Sequence, residues 1–315
     1  MMDIQKIACV GAGLIGSDWT TLFISKGYRV TLQDISEEIL ENALSVIRSN
    51  LLFHEKNGFI TPEAVEQALK RIDTTTCLET AVGDADYIQE SVFDDLALKH
   101  RVFKAIDAAA RKDAIIASSA SGLLMTDIQK AAALPGRCVM VHPILPAHLI
   151  PLVEIGGGPA TSPQSLDIAD RFMKKLGKTT VVLKKEVPGY IVNRLQAAVL
   201  REAMDLVEKG VATAEDVDTA FCKGCGLRDP FIGPFMRAHL AGDNIERFFK
   251  NYDQSYRYRL ESMETWTSFP PSAIDAVVKE VNKMPMVANK SIDELKAWRN
   301  DKLVQLLEVT REGQN

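Results

Sequence analysis

Three glycines near the N terminus have the spacing of a turn that binds phosphate groups. Gly11, Gly13 and Gly16 follow an apolar stretch that predicts a strand, and an amphipathic stretch that predicts a helix begins at Leu14. In such a motif the first glycine permits a tight turn, the second lets the backbone approach a pyrophosphate, and the third lets helix and strand pack closely. The helix start, with Leu14 and Ile15, would direct free N–H groups at the phosphates. The pattern predicts a dinucleotide site, although a glycine turn without a ligand would look the same.

A carboxylate after the second predicted strand indicates which dinucleotide binds. Asp34 lies 18 residues beyond Gly16, where the strand of residues 30–32 closes. A carboxylate in this place accepts hydrogen bonds from the hydroxyls of an adenosine ribose and repels a 2′-phosphate. We therefore predict that the cofactor is NAD rather than NADP.

Four polar residues further along the chain have the chemistry of a proton-transfer site. His142 ends an apolar strand, and Glu154 follows 12 residues later among Leu, Val and Ile. A carboxylate in such surroundings is expected to be partly buried and to need a partner, and an imidazole held by a carboxylate is an acid or base near neutral pH. Ser121 follows the preceding strand, and Asn193 begins the first helix of the second half. A cleft between two domains would collect all four, although each residue alone could be structural.

The elements that must position these residues are those of an α/β protein. Short buried strands alternate with amphipathic helices through the first 186 residues, which predicts a mostly parallel sheet covered on both faces. After Pro188 and Gly189 the pattern is helical only. We therefore predict a doubly wound Rossmann-type domain over residues 1–186 and an all-α domain over residues 187–315. The predicted strands are residues 7–10, 30–32, 87–88, 114–117, 138–141, 149–155 and 181–183, and the predicted helices are residues 14–25, 37–52 (with Ser36 as N-cap), 95–110, 163–176, 191–209, 213–222, 245–259, 274–282 and 292–307.

Composition and charge exclude several classes of partner. The 315 residues carry 37 Lys and Arg against 42 Asp and Glu, a net charge of −5, and form no long basic cluster, which argues against a nucleic-acid partner. No stretch approaches the ~18 apolar residues of a membrane span. The N terminus lacks the features of a secretory signal, so we expect a cytoplasmic protein. The five cysteines are scattered, and Cys222 and Cys225 have no further ligands at metal-like spacing. We predict no metal site.

With these features in place, the sequence resembles the 3-hydroxyacyl-CoA dehydrogenase superfamily. The motifs GAGLIG, SSASGL, PLVE and PGYIVNRL occur in that family's order and spacing between about residues 5 and 240, together with Asp34, the pair Asp94 and Lys99, and the loop after His142. Within the superfamily the chain is most similar to the branch of lambda-crystallins and L-gulonate 3-dehydrogenases, through IQESVFDDLALK, HPxxPxxxIPLVE, residues 227–234 and an AWR sequence near the C terminus. The terminal GEGFY-type sequence usual in the acyl-CoA enzymes is absent.

The resemblance implies a role for each member of the predicted site. His142 would act as general acid/base at the C3 hydroxyl of a substrate, and Glu154 would hold and polarise it. Ser121 and Asn193 would bind the substrate oxygen and fix its geometry. A hydride would pass between C3 and the nicotinamide, so the protein supplies positioning and one proton transfer.

The resemblance also implies cofactor contacts and reveals two departures from the family. Asp94, where Glu is more usual, and Lys99 would contact the nicotinamide ribose side of the cofactor. Without the family, a helix cap and a helix-surface lysine explain them equally well. The family commonly has Asn three residues after the catalytic His, where this chain has Leu145. Leu cannot make the hydrogen bond of that Asn, so either the bond is missing or another group, such as His148, makes it.

Arg228 is the predicted substrate residue. A free hydroxy acid has a carboxylate where an acyl-CoA has a thioester, and an arginine can bind a carboxylate through two parallel hydrogen bonds. Sequences of the gulonate dehydrogenase type have an arginine at the matching position. An ion pair between helices would also explain Arg228, and Arg237 is a second choice.

The resulting hypothesis is an NAD-dependent dehydrogenase that oxidises the 3-hydroxyl of a small hydroxy acid of the L-gulonate type. The alternatives are a 3-hydroxyacyl-CoA dehydrogenase, a carnitine 3-dehydrogenase, and a non-catalytic, crystallin-like protein that binds NAD. Carnitine would call for aromatic faces around its quaternary ammonium, whereas Tyr252, Tyr256, Tyr258 and Trp266 are more simply explained as packing residues. The helical domain has more apolar positions than one layer of packing covers, and the family forms homodimers. We therefore expect a homodimer through residues 187–315.

Overall fold

The computed structural model describes residues 4–311, with side chains for residues 4–310. The chain divides into two units, Met1–Arg194 and Leu195–Asn315. The boundary predicted after residue 186 lies in the segment between the last strand and the first long helix of the second half.

One eight-stranded sheet forms the centre of the first unit. Its strands are β1 (Lys6–Val10), β2 (Arg29–Gln33), β3 (Ile72–Thr75), β4 (Tyr87–Glu90), β5 (Ile115–Ser118), β6 (Cys138–Pro143), β7 (Leu152–Gly156) and β8 (Thr179–Val182). The strand order is β3-β2-β1-β4-β5-β6-β7-β8, and β1 to β6 are all parallel. β7 runs antiparallel to β6, and β8 runs parallel to β7. The mostly parallel sheet predicted from the sequence is confirmed.

Three strands differ from the expectation. The apolar pattern does not predict β3, because its sequence IDTT has a single apolar residue and lies at the edge of the sheet. β7 begins at Leu152 rather than at residue 149. Pro151 has no N–H to give to a ladder, and the N–H groups of Leu149 and Ile150 close a turn on the carbonyl of Pro146. β8 begins two residues earlier than predicted.

Helices cover both faces of this sheet. They are α1 (Leu14–Ser25), α2 (Glu37–Lys56), α3 (Pro62–Leu69), α4 (Leu78–Val82), α5 (Leu96–Ala109), α6 (Met125–Ile128) and α7 (Pro163–Lys175). Ser36 accepts a hydrogen bond from the Ile39 N–H and Asp95 accepts one from the Leu98 N–H, so each caps the helix that it precedes. Gly27 has a φ of +93° just after α1, as expected for a glycine that ends a helix.

The core lies in two buried clusters, one on each face of the sheet. Tyr87 and Ile88, adjacent in β4, belong to different clusters, as expected for a strand that is buried on both sides. Tyr87 packs against Phe172 of α7 with ring centroids 4.8 Å apart, and Phe172 stacks on Phe23 of α1. Burial of each such ring stabilises the fold by about 1.5–3 kcal/mol. These clusters fix the strands whose carboxyl ends carry the polar residues of interest.

The second unit is helical, and residues 195–311 contain no strand. Its helices are α8 (Val192–Glu208), whose first turn belongs to the first unit, α9 (Ala214–Ala220), α10 (Pro234–Ala241), α11 (Ile245–Ser262), α12 (Pro271–Val281), α13 (Pro285–Asn289) and α14 (Ile292–Arg311). The helix predicted over residues 213–222 ends earlier, because Phe221–Cys225 forms a π-helical turn. Within residues 4–311 no helix is both long and apolar enough to cross a membrane.

Candidate active site

The glycine turn lies between β1 and α1. Gly11 has a φ of +95°, and a Cβ at this position would lie 2.9 Å from the backbone of Ser91. A Cβ on Gly16 would lie 1.8 Å from the carbonyl oxygen of Gly11, so only glycine lets the helix approach the turn this closely. Gly13 has no heavy atom within 4 Å of its would-be Cβ. This open side of Gly13 fits the close approach of a pyrophosphate.

Asp34 follows β2 beside the glycine turn. Its Oδ2 accepts a hydrogen bond from the Ala12 N–H at 2.6 Å, and its Oδ1 accepts one from the Ile35 N–H at 2.7 Å. The carboxylate therefore fixes the turn and, being only half-buried, keeps a face on which ribose hydroxyls can bind. In the first turn of α1, Leu14 is 64% exposed and Ile15 is half-buried.

His142 and Glu154 face each other across the antiparallel pair β6 and β7. The register places the two residues directly opposite, and His142 Nδ1 lies 3.0 Å from Glu154 Oε2. Both side chains are buried, with relative exposures of 4% and 1%. His142 Nε2 makes no hydrogen bond with the residues that the structure describes, so this nitrogen is the one left for a substrate.

The second oxygen of Glu154 binds the start of α8. Oε1 accepts hydrogen bonds from the N–H groups of Ile191 and Val192 at 2.8 and 3.1 Å. Burial raises the pKa of Glu154, but the hydrogen bonds from His142, Ile191 and Val192 outweigh burial and hold the pKa below its usual value. Glu154 is therefore ionised at neutral pH, which keeps the imidazole proton on Nδ1 and leaves the Nε2 lone pair free to accept a proton.

Asn193 lies one residue beyond these two N–H groups, in the first turn of α8. Its half-buried side chain makes no hydrogen bond within residues 4–310, so its amide is available to a ligand. Tyr190, which the sequence reasoning missed, packs its ring 5.2 Å from the His142 ring and donates its hydroxyl to the Leu123 carbonyl. The PGYIVNRL motif contains this tyrosine but gives no sign that it supports the imidazole.

Ser121 is bound to Asp94 rather than to the His142 pair. The N–H and the hydroxyl of Ser121 both donate to Asp94 Oδ2, at 2.9 and 3.2 Å, and the Gly122 N–H donates to the same oxygen. Burial raises the pKa of Asp94, but these hydrogen bonds and the charge of Lys99 more than compensate and lower it. Of the four residues predicted to form one site, the structure joins His142 and Glu154 directly and shows no hydrogen bond from either to Ser121 or to the side chain of Asn193.

Lys99 is fully buried, not a surface lysine. Its Nζ lies 2.8 Å from Glu90 Oε1, 3.1 Å from the Val92 carbonyl and 3.4 Å from Asp94 Oδ1. Glu90, which the sequence reasoning missed, also accepts a hydrogen bond from the Ser118 hydroxyl. Lys99 contacts the carboxylates of Glu90 and Asp94 and thereby orients Asp94. The sequence contained one indication of the ion pair between Glu90 and Lys99. Glu90 ends a buried strand, where a carboxylate needs a partner, and Lys99 follows nine residues later.

Leu145 and His148 lie on the loop that joins β6 to β7. Leu145 is 43% exposed. His148 is buried, with its Nδ1 2.8 Å from His54 Nε2 and its Nε2 3.9 Å from Asp18 Oδ1. The idea that His148 makes the hydrogen bond that Leu145 cannot make is therefore wrong, because this imidazole is used in the interior.

The buried His54 makes stability depend on acid pH. Burial lowers its pKa to about 4, helped by the charges of Lys26 and Lys178. Between pH 6.5 and 4 the unfolded chain gains a proton that the folded chain does not, so stability is lost as pH falls. We expect the free energy of unfolding of the wild type to drop by about 2 kcal/mol more than that of His54→Gln across this range. Urea denaturation at several pH values measures this difference, with His100→Gln on α5 as control. Equal acid sensitivity of the wild type and His54→Gln would rule out this origin.

In the second unit, the structure distinguishes the two candidate arginines. Arg237 Nη1 lies 2.8 Å from Asp229 Oδ1. Arg228 is exposed, and its guanidinium forms no ion pair with any residue in the described range. Arg237 is therefore occupied by its ion pair with Asp229, whereas the Arg228 guanidinium is free to bind an anion.

The fold and the polar groups together define a class of enzyme. A glycine turn follows β1, an acidic residue follows β2, and His142 lies near the carboxyl end of β6 opposite Glu154 of the antiparallel β7, all in a doubly wound sheet. These are the parts of a nicotinamide-dependent dehydrogenase.

Comparison with known protein families makes the class specific. Residues 6–187 match the model of the 3-hydroxyacyl-CoA dehydrogenase NAD binding domain, and residues 189–270 match that of the 3-hydroxyacyl-CoA dehydrogenase C-terminal domain. The chain therefore belongs to the 3-hydroxyacyl-CoA dehydrogenase family, and it is an NAD-dependent oxidoreductase. The resemblance inferred from the sequence motifs is confirmed.

Individual relatives cover nearly the whole chain. It is 37% identical to the L-carnitine dehydrogenase of Streptomyces griseus over 98% of this chain and 90% of that protein. It is 33% identical to the lambda-crystallin homolog of Rattus norvegicus over 98% of this chain and 97% of that protein. Among solved structures, 5-formyl-3-hydroxy-2-methylpyridine 4-carboxylic acid 5-dehydrogenase, an NAD⁺-dependent dismutase, superposes with a TM-score of 0.84 at 28% identity over 98% of this chain and 99% of that chain.

Proposed function

We propose that this protein oxidises the 3-hydroxyl group of a small free hydroxy acid of the L-gulonate type to the 3-keto acid. The observation that carries the proposal is the buried pair His142 and Glu154, whose Nδ1 to Oε2 distance is 3.0 Å. The pair presents one imidazole nitrogen as a base, at the end of the sheet where α/β enzymes bind their ligands.

The proposed mechanism needs one proton transfer and one hydride transfer. His142 Nε2 accepts the proton of the C3 hydroxyl while the C3–H bond breaks and the C3–O bond becomes a carbonyl. NAD, held by the glycine turn and Asp34, would supply the acceptor for the hydride that leaves C3. Glu154 stabilises the imidazolium that forms and holds the ring in place. Asn193 would donate its amide N–H to the substrate oxygen.

Ser121, Asp94 and Lys99 form the second part of the proposed site. The carboxylate of Asp94 binds the N–H and hydroxyl of Ser121, and the buried ammonium of Lys99 lies 3.4 Å from the other Asp94 oxygen. In this arrangement Lys99 orients Asp94, and Asp94 orients Ser121 towards the substrate oxygen. The exposed edge of Asp94 would accept a hydrogen bond from the nicotinamide ribose.

The substrate is proposed to be a free acid because an unpaired arginine can receive its carboxylate. Arg228→Met is expected to raise KM for the hydroxy acid about 10- to 100-fold, since the methionine cannot form the charged hydrogen bonds to the carboxylate. KM for NAD is expected to stay within about twofold. Steady-state kinetics with each substrate varied in turn measure both values.

Arg237→Met is the matched control, because the structure pairs Arg237 with Asp229. A rise in KM for the acid in Arg237→Met with none in Arg228→Met would reverse the assignment. An unchanged KM in both variants would remove the carboxylate argument.

L-carnitine is the second candidate substrate, because several relatives at 34–37% identity are L-carnitine dehydrogenases. Carnitine is also a free 3-hydroxy acid, so the same chemistry serves it. An aromatic face for its quaternary ammonium is partly taken within α11, where the Arg259 guanidinium lies 4.2 Å from the centroid of Tyr256.

A substrate panel tests the proposed function. NADH formation is measured with L-gulonate, L-carnitine, 3-hydroxybutyrate and 3-hydroxybutyryl-CoA. We expect turnover of a free acid, with kcat/KM well above that for the CoA thioester. A strong preference for the thioester would make the protein an acyl-CoA enzyme. NADH binding without turnover of any of the four would favour a crystallin-like role.

We also propose that the helical unit forms a homodimer. Large apolar side chains of α10 are open to solvent in the single chain, with Phe235 81%, Met236 53% and Leu240 59% exposed. Burying such a patch against a second copy removes it from water. Sedimentation at micromolar concentration is expected to give twice the 34.7 kDa of one chain. The mass of a single chain would contradict this proposal.

A further inference from the structure

The loop that joins His142 to Glu154 is poorly supported by its own backbone. Residues 144–151 connect β6 to β7 and include Pro146 and Pro151, which have no N–H to donate. Within this described segment, the only internal backbone hydrogen bonds run from the N–H groups of Leu149 and Ile150 to the Pro146 carbonyl. The remaining buried polar groups of the loop need partners from elsewhere.

Lys178 supplies two of those partners. Lys178 follows α7 and directly precedes β8 in the chain; its side chain is buried, and its Nζ donates to the carbonyls of Ala147 and Ile150. The same ammonium lies 5.8 Å from the centroid of the Trp19 ring. One buried cation thus ties two points of the loop to the end of the sheet.

Asp18 of α1 binds the loop at Ala147, whose carbonyl also accepts a hydrogen bond from Lys178. Its Oδ2 accepts a hydrogen bond from the Ala147 N–H at 2.7 Å, and its Oδ1 accepts one from Asn50 Nδ2. Asp18 is only 2% exposed. Both backbone groups of Ala147 are therefore held by buried charged side chains from two different elements.

The negative charge of Asp18 stabilises the protonated form of Lys178. Burial lowers the pKa of Lys178 to about 7, and the Asp18 carboxylate offsets part of that fall. The imidazoles of His54 and His148 hydrogen-bond beside them, so the next residue of the loop is anchored as well. Asp18, Lys178 and His54 therefore contact the loop at Ala147 and His148, midway between His142 and Leu152.

We propose that Asp18 and Lys178 are positioning residues, two buried side chains that together hold the 144–151 loop at Ala147 and so fix His142 against Glu154 and direct Leu145. This inference rests on the proposed function, in which the His142 pair is the acid/base. Reaction rates fall steeply when reacting groups are displaced by about 1 Å. A loop of eight residues with its midpoint released would permit such a displacement of His142 and Leu145.

The kinetic test compares variants that remove the side-chain hydrogen bonds to Ala147 with a variant that keeps one of them. Asp18→Ala and Lys178→Met are expected to lower kcat about 10- to 100-fold, with KM for NAD within about twofold of the wild type. Asp18→Asn keeps an oxygen that can accept from the Ala147 N–H, and it is expected to retain kcat within about threefold. Thr20→Val, buried on the same helix, is the control and is expected to behave as the wild type. Wild-type kcat in folded Asp18→Ala and Lys178→Met, or an equal loss of NAD affinity and kcat, would overturn the proposal.

Hydrogen exchange tests the anchor without turnover. In the wild type we expect the Ala147 amide, which donates to Asp18, to exchange slowly, and in Asp18→Ala we expect it to exchange faster while the amides of β1 are unchanged. Fast exchange of the Ala147 amide in the wild type would refute the role of Asp18 in holding the loop, even if the variants proved too unstable for kinetics. If the wild type oxidised no hydroxy acid, the proposed function would fail while the exchange result would still decide whether the loop is anchored.

Discussion

Replacing His142 with Gln is expected to reduce kcat by about 10³-fold while the affinity for NADH stays within about threefold. General acid/base catalysis contributes about 10²- to 10⁴-fold, and His142 is the group that accepts the hydroxyl proton in the proposed mechanism. Gln retains a hydrogen-bonding group near Glu154, whose Oε2 lies 3.0 Å from the imidazole, but it cannot take up a proton. Steady-state kinetics and a fluorescence titration with NADH measure the two quantities.

The control for this substitution is His100→Gln, because His100 lies on α5 outside the proposed site and Gln can still donate to the Asp127 carbonyl that His100 contacts. It is expected to keep both kcat and NADH affinity. If His142→Gln retained wild-type turnover, a different residue would have to be the base. If it lost NADH binding to the same extent as turnover, the effect would be structural rather than catalytic.

The second large effect is expected at the glycine turn. Gly16→Ala would place a Cβ 1.8 Å from the Gly11 carbonyl oxygen, so α1 must move away from the turn. Overpacking of this kind costs about 1–3 kcal/mol or more. We expect a lower Tm and a loss of NADH affinity on the order of 100-fold, measured by thermal unfolding without cofactor and by NADH titration.

Gly13→Ala separates the effect on NADH affinity from the effect on thermal stability. Its Cβ meets no heavy atom within 4 Å, and its φ of −71° suits alanine, so Tm is expected to be unchanged. The methyl group would occupy the space proposed for the pyrophosphate, and NADH affinity is expected to fall about 10-fold or more. Gly224→Ala, also in open space, is the neutral control. A wild-type Tm for Gly16→Ala, or wild-type NADH affinity for Gly13→Ala, would contradict this description of the turn.

The parts of the fold that follow from local sequence were predictable. The strand, glycine turn and helix at the N terminus have a pattern that depends only on neighbouring residues, and Asp34 follows from its distance to that turn. The cap at Ser36 follows from a short polar side chain that precedes a helix. In each case the signal lies within the same strand, turn and helix or in the next strand along the chain. The cap of α5 was not predicted correctly, because the sequence analysis offered Asp94 as the possible cap and the structure has Asp95 in that role.

The parts that depend on pairing between distant segments were less predictable. That Glu154 needs a partner follows from its apolar neighbours, but the antiparallel register that places it opposite His142 depends on how the proline-containing loop turns. The edge strand β3 has too little apolar character to be recognised. Burial of Lys99 against Glu90 reverses the usual preference of lysine for the surface, because two carboxylates and a carbonyl meet its ammonium.

His148 shows the limit of reasoning from position alone. Its place near Leu145 suggested a substrate contact, yet the side chain turns inward to His54. Nothing in the sequence near His148 marks His54, 94 residues earlier, as its partner. The same long-range packing brings Asp18 to Ala147, 129 residues away, and that contact became visible only in three dimensions.

The most direct test of the central claim follows the hydrogen on C3 of the substrate. L-Gulonate and L-carnitine, each deuterated at C3, are incubated with NAD and the protein, and the NADH formed is examined by mass spectrometry. The proposed reaction predicts that one deuterium appears in NADH for each molecule of free acid oxidised, with no transfer in His142→Gln on the same timescale. Formation of unlabelled NADH from the deuterated acids, or no NADH from either acid, would contradict the proposal that this protein removes a hydride from C3 of a free hydroxy acid.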